Sequence, residues 1–238
     1  MKRRAWSRWV PFLLLAGALT VAACSSDDNP TKPIAIYGDS LTYGAQSYLE
    51  AAADDAGVTI SVTGVPGAAL CDLRSEIEQT FCDTPPAALV LVFAGNNRTA
   101  CAGGRVGAPL VDLYAEDATA IVVLAAEMGV PVVLAGPPAI EPEPWATTAE
   151  LLNDRFRTIA DQQDGVAYLD LGEVLSPQGF TTTLPCLTSE GAAQGCSHGE
   201  IVVRNPDGVH FDDPGSDGYS SGSYRFAQAV FAAGEDAA

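Results

Sequence analysis

The stretch that decides the fold is PIAIYGDSLTYG, at residues 33–44. Residues 33–37 form a short apolar run that predicts a strand, and residues 43–56 are rich in Ala and predict a helix. Ser40 therefore lies on a strand-to-helix turn, which exposes a hydroxyl above the sheet edge and beside unpaired helix N–H groups. The segment predicts a reachable nucleophile, with helix capping by Asp39 or Ser40 as the alternative.

Outward from this segment, short apolar runs alternate with helical patterns. Further strands are predicted at 58–63, 87–94, 130–135 and 166–171, and further helices at 110–128, 148–163 and 219–233. Several of the runs are apolar throughout, which is typical of strands covered on both faces. The alternation predicts an α/β fold: a three-layer α/β/α sandwich around a five-stranded, mostly parallel sheet in the flavodoxin-like order 2-1-3-4-5. Ligands of such sheets bind beyond the carboxyl ends of the strands.

The net charge of the chain limits the classes of partner that it can bind. The 238 residues carry a formal net charge of −18, and four of the 12 Lys and Arg residues lie within the first eight positions. The remainder is still more acidic and would repel phosphate backbones, so nucleic acid is excluded as a partner.

The N-terminus has the layout of an export signal. A basic head precedes an apolar stretch that ends in small residues, which predicts a signal peptide at residues 1–23. The sequence Val-Ala-Ala-Cys at 21–24 resembles a bacterial lipobox, in which Cys24 becomes a lipidated N-terminus. Polar residues 24–32 would then tether a domain at 33–238 to the outer face of the cytoplasmic membrane. An uncleaved anchor helix and cleavage to a freely secreted protein are the alternatives.

Five cysteines follow Cys24, and an exported protein can oxidise them. Cys186 and Cys196 close a short loop and form one predicted disulfide. Cys71 and Cys101 form the second, because each follows a predicted strand that leads to the same site. One thiol, Cys82, is left over on this pairing. No spacing of Cys and His predicts a metal site.

A base for the serine is found near the other end of the chain. Asp207 and His210 stand three residues apart, and an imidazole is the usual base for a serine when a carboxylate orients it. The only other histidine, His198, has no Asp within three residues and is interpreted as a polar loop residue. The triad predicted from these residues is Ser40, His210 and Asp207.

Two loops offer donors for an oxyanion. Residues 64–67 follow the second predicted strand and residues 95–97 follow the third, so both should lie beside Ser40. The backbone N–H of Gly67 and the side-chain amide of Asn97 are the candidates. Tight turns at the glycines and a helix cap at the Asn are the alternatives.

Together these segments resemble the four sequence blocks of the GDSL, or SGNH, hydrolase family. The residues that carry the resemblance are Gly38-Asp39-Ser40-Leu41, Gly67, Gly95-x-Asn97 and Asp207-x-x-His210. The resemblance implies Ser40, Asp207 and His210 as the triad and Ser40, Gly67 and Asn97 as oxyanion donors. Gly67 is preferred to Gly64 because it stands in the P-G-A-x-L stretch that the family usually shows.

One departure stands out, since Arg98 follows Asn97 where the family often has Asp. The expected activity is hydrolysis of carboxylic esters through an acyl-enzyme, without metal or cofactor, on carbohydrate or lipid esters of the cell surface. Transfer of the acyl group to a sugar hydroxyl is an alternative that uses the same residues. A non-catalytic binding module on the same fold is another.

Overall fold

The computed structural model describes residues 32–214 and 218–238 of the chain. Five parallel strands form the central sheet, in the order β2-β1-β3-β4-β5. The strands are β1 (Ile34–Gly38), β2 (Ile60–Gly64), β3 (Ala88–Val92), β4 (Val132–Gly136) and β5 (Val166–Asp170). This order and the parallel pairing confirm the predicted fold class.

Six helices cover the two faces of the sheet. They are α1 (Ser40–Ala56), α2 (Leu70–Asp83), α3 (Ala108–Glu127), α4 (Trp145–Gln162), α5 (Leu171–Leu175) and α6 (Ser221–Ala237). The apolar residues of α2, α3 and α4 pack with one face of the sheet, and those of α1, α5 and α6 pack mainly with the other. The result is the predicted three-layer sandwich with a hydrophobic core on each side of the sheet.

The register of the sheet determines where the loops meet. Strand β1 is fully buried between β2 and β3, with Gly38 level with Gly64 of β2 and with Val92 of β3. The chain leaves all three strands at the same edge, so the loops after β1, β2 and β3 lie side by side. This is the edge at which parallel sheets bind ligands.

The structure contains elements that the sequence analysis did not predict. Helix α2 is one of them; it buries one face through Leu70, Leu73, Ile77 and Phe81, while its other residues are largely polar or charged. The region that follows β5 also contains a small antiparallel hairpin, formed by β6 (Thr183–Pro185) and β7 (Glu200–Val202). The hairpin depends on contacts distant in sequence, which local patterns do not reveal.

Both predicted disulfides are present. Cys71 is bonded to Cys101, and Cys186 is bonded to Cys196. Cys82 also takes part in a disulfide, so the prediction that one thiol is left over is wrong. The prediction came from the odd count of cysteines after Cys24, and a count does not identify the partner of any one thiol.

The segment between Cys186 and Cys196 is held to the start of α6 by a buried ion pair. Glu190 accepts a hydrogen bond from Arg225 at 2.7 Å and others from Ser221 and Tyr219. A buried charge needs such partners to offset its lost hydration. They fix an otherwise irregular loop to a helix of the core.

Nearly all of the predicted export signal and tether, residues 1–31, lies outside the described residues. Among the helices of the described ranges, none combines the length and the apolar character that crossing a membrane requires.

Candidate active site

Ser40 is the first residue of α1 and follows the end of β1 by two positions. The turn between them is tight: a Cβ on Gly38 would lie 2.5 Å from the carbonyl oxygen of Val92, so only glycine fits there. Asp39 caps the helix, because its carboxylate accepts a hydrogen bond from the backbone N–H of Leu41 at 3.0 Å. The cap is therefore Asp39, and the hydroxyl of Ser40 is left for other partners.

The carboxylate of Asp39 also joins the loops after β1 and β3. It is completely buried, and its second oxygen accepts from the backbone N–H of Ala94 at 2.8 Å and from the side-chain amide of Asn96 at 3.0 Å. Burial raises the pKa of Asp39, and these hydrogen bonds oppose that rise. Three donors on one carboxylate hold the serine turn and the β3 loop in a fixed arrangement.

Ser40, His210 and Asp207 form one continuous hydrogen-bonded chain. The Nε2 atom of His210 lies 3.0 Å from the Oγ of Ser40, and its Nδ1 atom lies 2.6 Å from Oδ2 of Asp207. The other oxygen of Asp207 accepts from the backbone N–H groups of Val209 and His210, at 2.8 and 2.9 Å. One carboxylate therefore orients both the imidazole ring and the backbone that carries it.

These contacts set the charge of Asp207. Desolvation works to raise the pKa of the Asp207 carboxyl, but the hydrogen bonds from His210 and from the Val209 backbone outweigh it, and that pKa is lowered. Asp207 consequently remains an anion beside the imidazole and can stabilise an imidazolium.

Gly208 gives the Asp207–His210 turn its shape. Its φ of +71° is in the left-handed region, and a Cβ there would lie 2.9 Å from Cβ of Glu141. A side chain at this position would meet both backbone strain and the neighbouring loop. The glycine thus allows the loop after β4 to approach the turn that carries the histidine.

A buried arginine, Arg204, is hydrogen-bonded to the same turn. Arg204 is only 1% exposed, and its guanidinium donates to the carbonyl oxygens of Val209, at 2.9 Å, and Ala139, at 3.2 Å. It also lies 5.2 Å from the ring centroid of Phe211. Burial lowers the pKa of Arg204 to about 10. The side chain links the histidine turn to the loop that follows β4.

Ser40 and His210 border a cavity of about 260 Å³. Its apolar walls are formed by Ala94, Ile140, Trp145 and Val209. Its polar lining includes Asn96 and Asp207 as well as Ser40 and His210. A hydroxyl paired with an imidazole at the mouth of an apolar cavity can attack a carbonyl group whose substituent enters the cavity.

Of the predicted oxyanion donors, Asn97 and Gly67 are not among the residues that line the cavity. The side-chain amide of Asn97 donates to the carbonyl oxygen of Arg105 at 2.8 Å. Gly67 is exposed with a φ of +78°, whereas a Cβ on Gly64 would lie 2.5 Å from the backbone nitrogen of Tyr43. Gly64 thus allows the β2 loop to pack closely against α1.

Sequence analysis did not single out Asn96, which lines the cavity. The pair Asn96-Asn97 offers two candidates one residue apart, and the residue pattern favoured the second. The backbone bond from Ala94 to Asp39 fixes the start of this loop, and a hydrogen bond from the Tyr114 hydroxyl to the Asn96 carbonyl, at 2.9 Å, fixes its course. Both contacts are long-range, so no local signal distinguishes the two amides.

The Cys71–Cys101 disulfide ties the first turn of α2 to the loop that follows Asn97. These cysteines and Asp72 are the one group of possible metal ligands found within residues 32–214 and 218–238, and both sulfurs are consumed in the disulfide. The link stabilises the two loops that carry the oxyanion candidates.

The parallel sheet of order 2-1-3-4-5, with its serine turn after β1, gives the chain the fold of the GDSL/SGNH hydrolases and confirms that resemblance. The chain belongs to the family described as "Protein of unknown function (DUF459)", whose model matches residues 33–222. Among curated proteins, none matches it in sequence.

Solved structures with the same fold are similar over most of their length. A GDSL-like lipase from Bacteroides thetaiotaomicron is 16% identical, with 87% of this chain and 89% of that one covered and a TM-score of 0.59. The catalytic domain of peptidoglycan O-acetyltransferase A from Streptococcus pneumoniae is 14% identical, with coverages of 87% and 96% and a TM-score of 0.58. A family 3 carbohydrate esterase from Clostridium thermocellum is 16% identical, with coverages of 85% and 94% and a TM-score of 0.53.

Proposed function

We propose that the protein is a serine esterase that hydrolyses carboxylic esters through an acyl-enzyme. Ser40 is the nucleophile, His210 the base and Asp207 the group that orients the base. The observation that carries this proposal is the hydrogen-bonded chain from Ser40 Oγ to His210, at 3.0 Å, and from His210 to Asp207, at 2.6 Å. Its position at the mouth of an apolar cavity supports the same assignment.

The reaction follows from these contacts. The Oγ of Ser40 attacks the ester carbonyl while Nε2 of His210 takes its proton. The tetrahedral intermediate collapses, the imidazolium returns the proton to the departing alcohol, and Ser40 retains the acyl group. A water molecule, deprotonated by His210, then attacks the acyl-enzyme and releases the carboxylic acid.

The developing oxyanion needs donors that are already in place. Ser40 and Gly67 are proposed to supply backbone N–H groups, and a side-chain amide is proposed as the third donor. Although the sequence pattern favours Asn97 for this role, the contacts favour Asn96. Each amide uses one N–H within the protein, Asn96 toward Asp39 and Asn97 toward Arg105, so each keeps a second donor. Asn96 is preferred because it lines the cavity and Asn97 does not.

The substrates are proposed to be esters of carbohydrates, acetyl esters among them. Two similar structures carry names that support this class, a peptidoglycan O-acetyltransferase and a carbohydrate esterase. The side chains of His210 and Asp207 are 48% and 45% exposed, which suits a bulky polymer that approaches from solvent. The signal-peptide pattern and the lipobox-like sequence that ends at Cys24 support a proposed location at the cell surface, with lipidation of Cys24 as part of that proposal.

The experiment that tests the proposal is hydrolysis of acetylated carbohydrates and of 4-nitrophenyl esters by the purified protein. Ser40→Ala should abolish turnover and labelling by a fluorophosphonate probe. Ser47→Ala, an exposed position on the same helix, is the matched control and should keep both. Equal rates in the Ser40→Ala and unaltered proteins would remove the nucleophile assignment. Failure of the unaltered protein both to turn over esters and to react with the probe would favour a binding module.

Acyl transfer is the second candidate, and the exposure of His210 favours it as well. A sugar hydroxyl that approaches the imidazole from solvent can replace water in the second step. Product analysis by mass spectrometry, with and without an oligosaccharide acceptor, separates the two. Acylated acceptor as the main product would make the protein a transferase, and free acid alone would make it a hydrolase.

A further inference from the structure

The arginines of the described part of the chain differ in whether their guanidinium groups donate hydrogen bonds to protein acceptors. Six of them donate hydrogen bonds to protein acceptors. Carboxylates receive those of Arg74, Arg155, Arg157 and Arg225, and backbone carbonyls receive those of Arg105 and Arg204. Arg98 is the exception: within residues 32–214 and 218–238, its guanidinium has no hydrogen-bond acceptor. Its N–H donors are available to a ligand.

Arg98 lies close to an aromatic residue that lines the cavity. Its guanidinium carbon lies 5.6 Å from the ring centroid of Trp145, the aromatic residue in the cavity wall. It follows Asn96, which also lines the cavity, by two residues. Arg98 itself is exposed. A cation–π contact thus holds an accessible cation beside the aromatic residue of the cavity that Ser40 also lines.

The chain as a whole is acidic, and so is the loop before Trp145. The chain carries a net charge of −18, and the loop that leads to Trp145 contains the exposed carboxylates of Glu141 and Glu143. The Glu143 carboxylate accepts a hydrogen bond from Thr147 at 3.0 Å. An anionic substrate is repelled by this surface unless a local cation receives it. Arg98 is the arginine in position to do so, and its planar fork matches a carboxylate in two parallel hydrogen bonds.

We propose that Arg98 binds a carboxylate of the substrate while the ester carbonyl lies at Ser40, so that the preferred esters are those that carry a negative charge near the scissile bond. The inference rests on the proposed esterase function and adds a substrate preference to it. An acidic sugar as the alcohol, or a dicarboxylic acid as the acyl group, presents this chemistry. No bond is made or broken at Arg98, which acts as a binding residue.

The test compares matched esters on the full-length protein. One pair is the acetyl esters of methyl glucuronoside and methyl glucoside, which differ in a carboxylate on the alcohol. The other is the 4-nitrophenyl esters of adipic acid, as its monoester, and of hexanoic acid, which differ in a carboxylate on the acyl chain. Steady-state kinetics give KM and kcat for each, and the ratio of KM between the members of a pair isolates the charge.

Arg98→Gln should raise the KM of the charged ester relative to its neutral partner about tenfold, the loss expected for one charge-assisted contact. Arg98→Lys should restore part of the ratio, because it keeps the charge but not the fork. Arg155→Gln removes the same charge from an exposed, ion-paired position on α4 and should leave the ratio unaltered. Added salt should raise the KM of the charged ester in the unaltered protein more than in Arg98→Gln.

An equal effect of Arg98→Gln on both members of both pairs would overturn the inference and leave Arg98 as a support for Trp145. A preference of the unaltered protein for the neutral esters would overturn it too. In either case hydrolysis that depends on Ser40 would still stand, so the two failures are distinguishable. A changed ratio in one pair alone identifies whether the alcohol or the acyl group carries the carboxylate.

Discussion

The side-chain amide of Asn96 donates to the buried carboxylate of Asp39 at 3.0 Å, across the gap between the loops that follow β1 and β3. Asp39, the residue before Ser40, therefore fixes the side chain of a residue that lines the cavity. The neighbouring Asn97 does not line the cavity, and its amide donates to a backbone carbonyl eight residues further along.

Replacement of these two residues tests which amide serves the oxyanion. Asn96→Ala should lower kcat by about 10²–10³, the usual effect of losing one oxyanion donor, with KM changed little. Asn97→Ala removes only the contact with Arg105 and should lower kcat far less. Steady-state kinetics on one acetyl ester provide the measurement, and circular dichroism checks that both variants fold. The reverse order of effects would restore Asn97 to the role that the sequence pattern gave it.

Gly208→Ala should destabilise the protein by about 1–3 kcal/mol and reduce its activity, because a Cβ at φ +71° meets Glu141 at 2.9 Å and displaces the histidine turn. Gly57→Ala is the matched control. Its φ of +69° imposes similar backbone strain of about 1 kcal/mol, but a Cβ there meets no atom within 4 Å.

Urea unfolding and the specific activity of the folded fraction should show loss of stability in both variants and loss of activity in Gly208→Ala alone. Equal retention of activity would mean that the turn tolerates a side chain and that the contact with Glu141 is not needed.

The Cys71–Cys101 disulfide should matter for catalysis as well as for stability. Its removal by a double substitution to Ser should cost about 3–4 kcal/mol, since the loop that it closes spans a sequence separation of 30. It should also lower kcat by about tenfold, because the loops that carry the oxyanion candidates lose their link.

The corresponding double substitution at Cys186 and Cys196 opens a loop with a separation of 10 and should cost about 3 kcal/mol, with little effect on kcat. Thermal unfolding and initial rates measure the two effects. A loss of stability without any change in kcat in the Cys71/Cys101 variant would show that the loops hold their positions without the bond.

The ionisation of Asp207 predicts a pH dependence of stability. Because its pKa is lowered in the folded protein, the carboxylate contributes stability above its ordinary pKa of 3.8, and this contribution is lost as the pH falls through the lowered value. Asp207→Asn should therefore be less stable than the unaltered protein at neutral pH, with a difference that shrinks below about pH 3.8.

Urea unfolding at a series of pH values gives the difference directly. The control Asp213→Asn removes an exposed carboxylate outside the hydrogen-bonded chain and should show no such convergence. A difference for Asp207→Asn that stays constant into the acid range would contradict the assignment of the effect to ionisation.

Sequence patterns predicted the sheet because its strands are short, largely apolar runs bounded by turn residues. Strands β1, β3 and β4 are fully buried, while the edge strands β2 and β5 are partly buried. The runs gave all five strands to within a few residues, and their alternation with helices predicted the parallel pairing. Helix α2 was not predicted, although Leu70, Leu73, Ile77 and Phe81 have helical spacing, because polar and charged residues stand between them.

The candidate site was predictable to the extent that it depends on short motifs. Ser40, Asp207 and His210 stand out by residue type and spacing, and the fold brings them together. The choice between Asn96 and Asn97 was not predictable, since it depends on hydrogen bonds from Ala94 and Tyr114 to partners far away in the sequence. The same holds for Arg98, whose significance appears only beside Trp145.

The shared contacts of Arg204 have a consequence for engineering of substrate range. One guanidinium connects the backbone next to His210 with the backbone next to Ile140, a wall of the cavity. Mutations that reshape the cavity at Ile140 will therefore also shift the imidazole, and gains in breadth there will be offset by slower turnover. Trp145 lies outside that linkage, so changes there should leave the imidazole in place while they alter the ring that contacts Arg98.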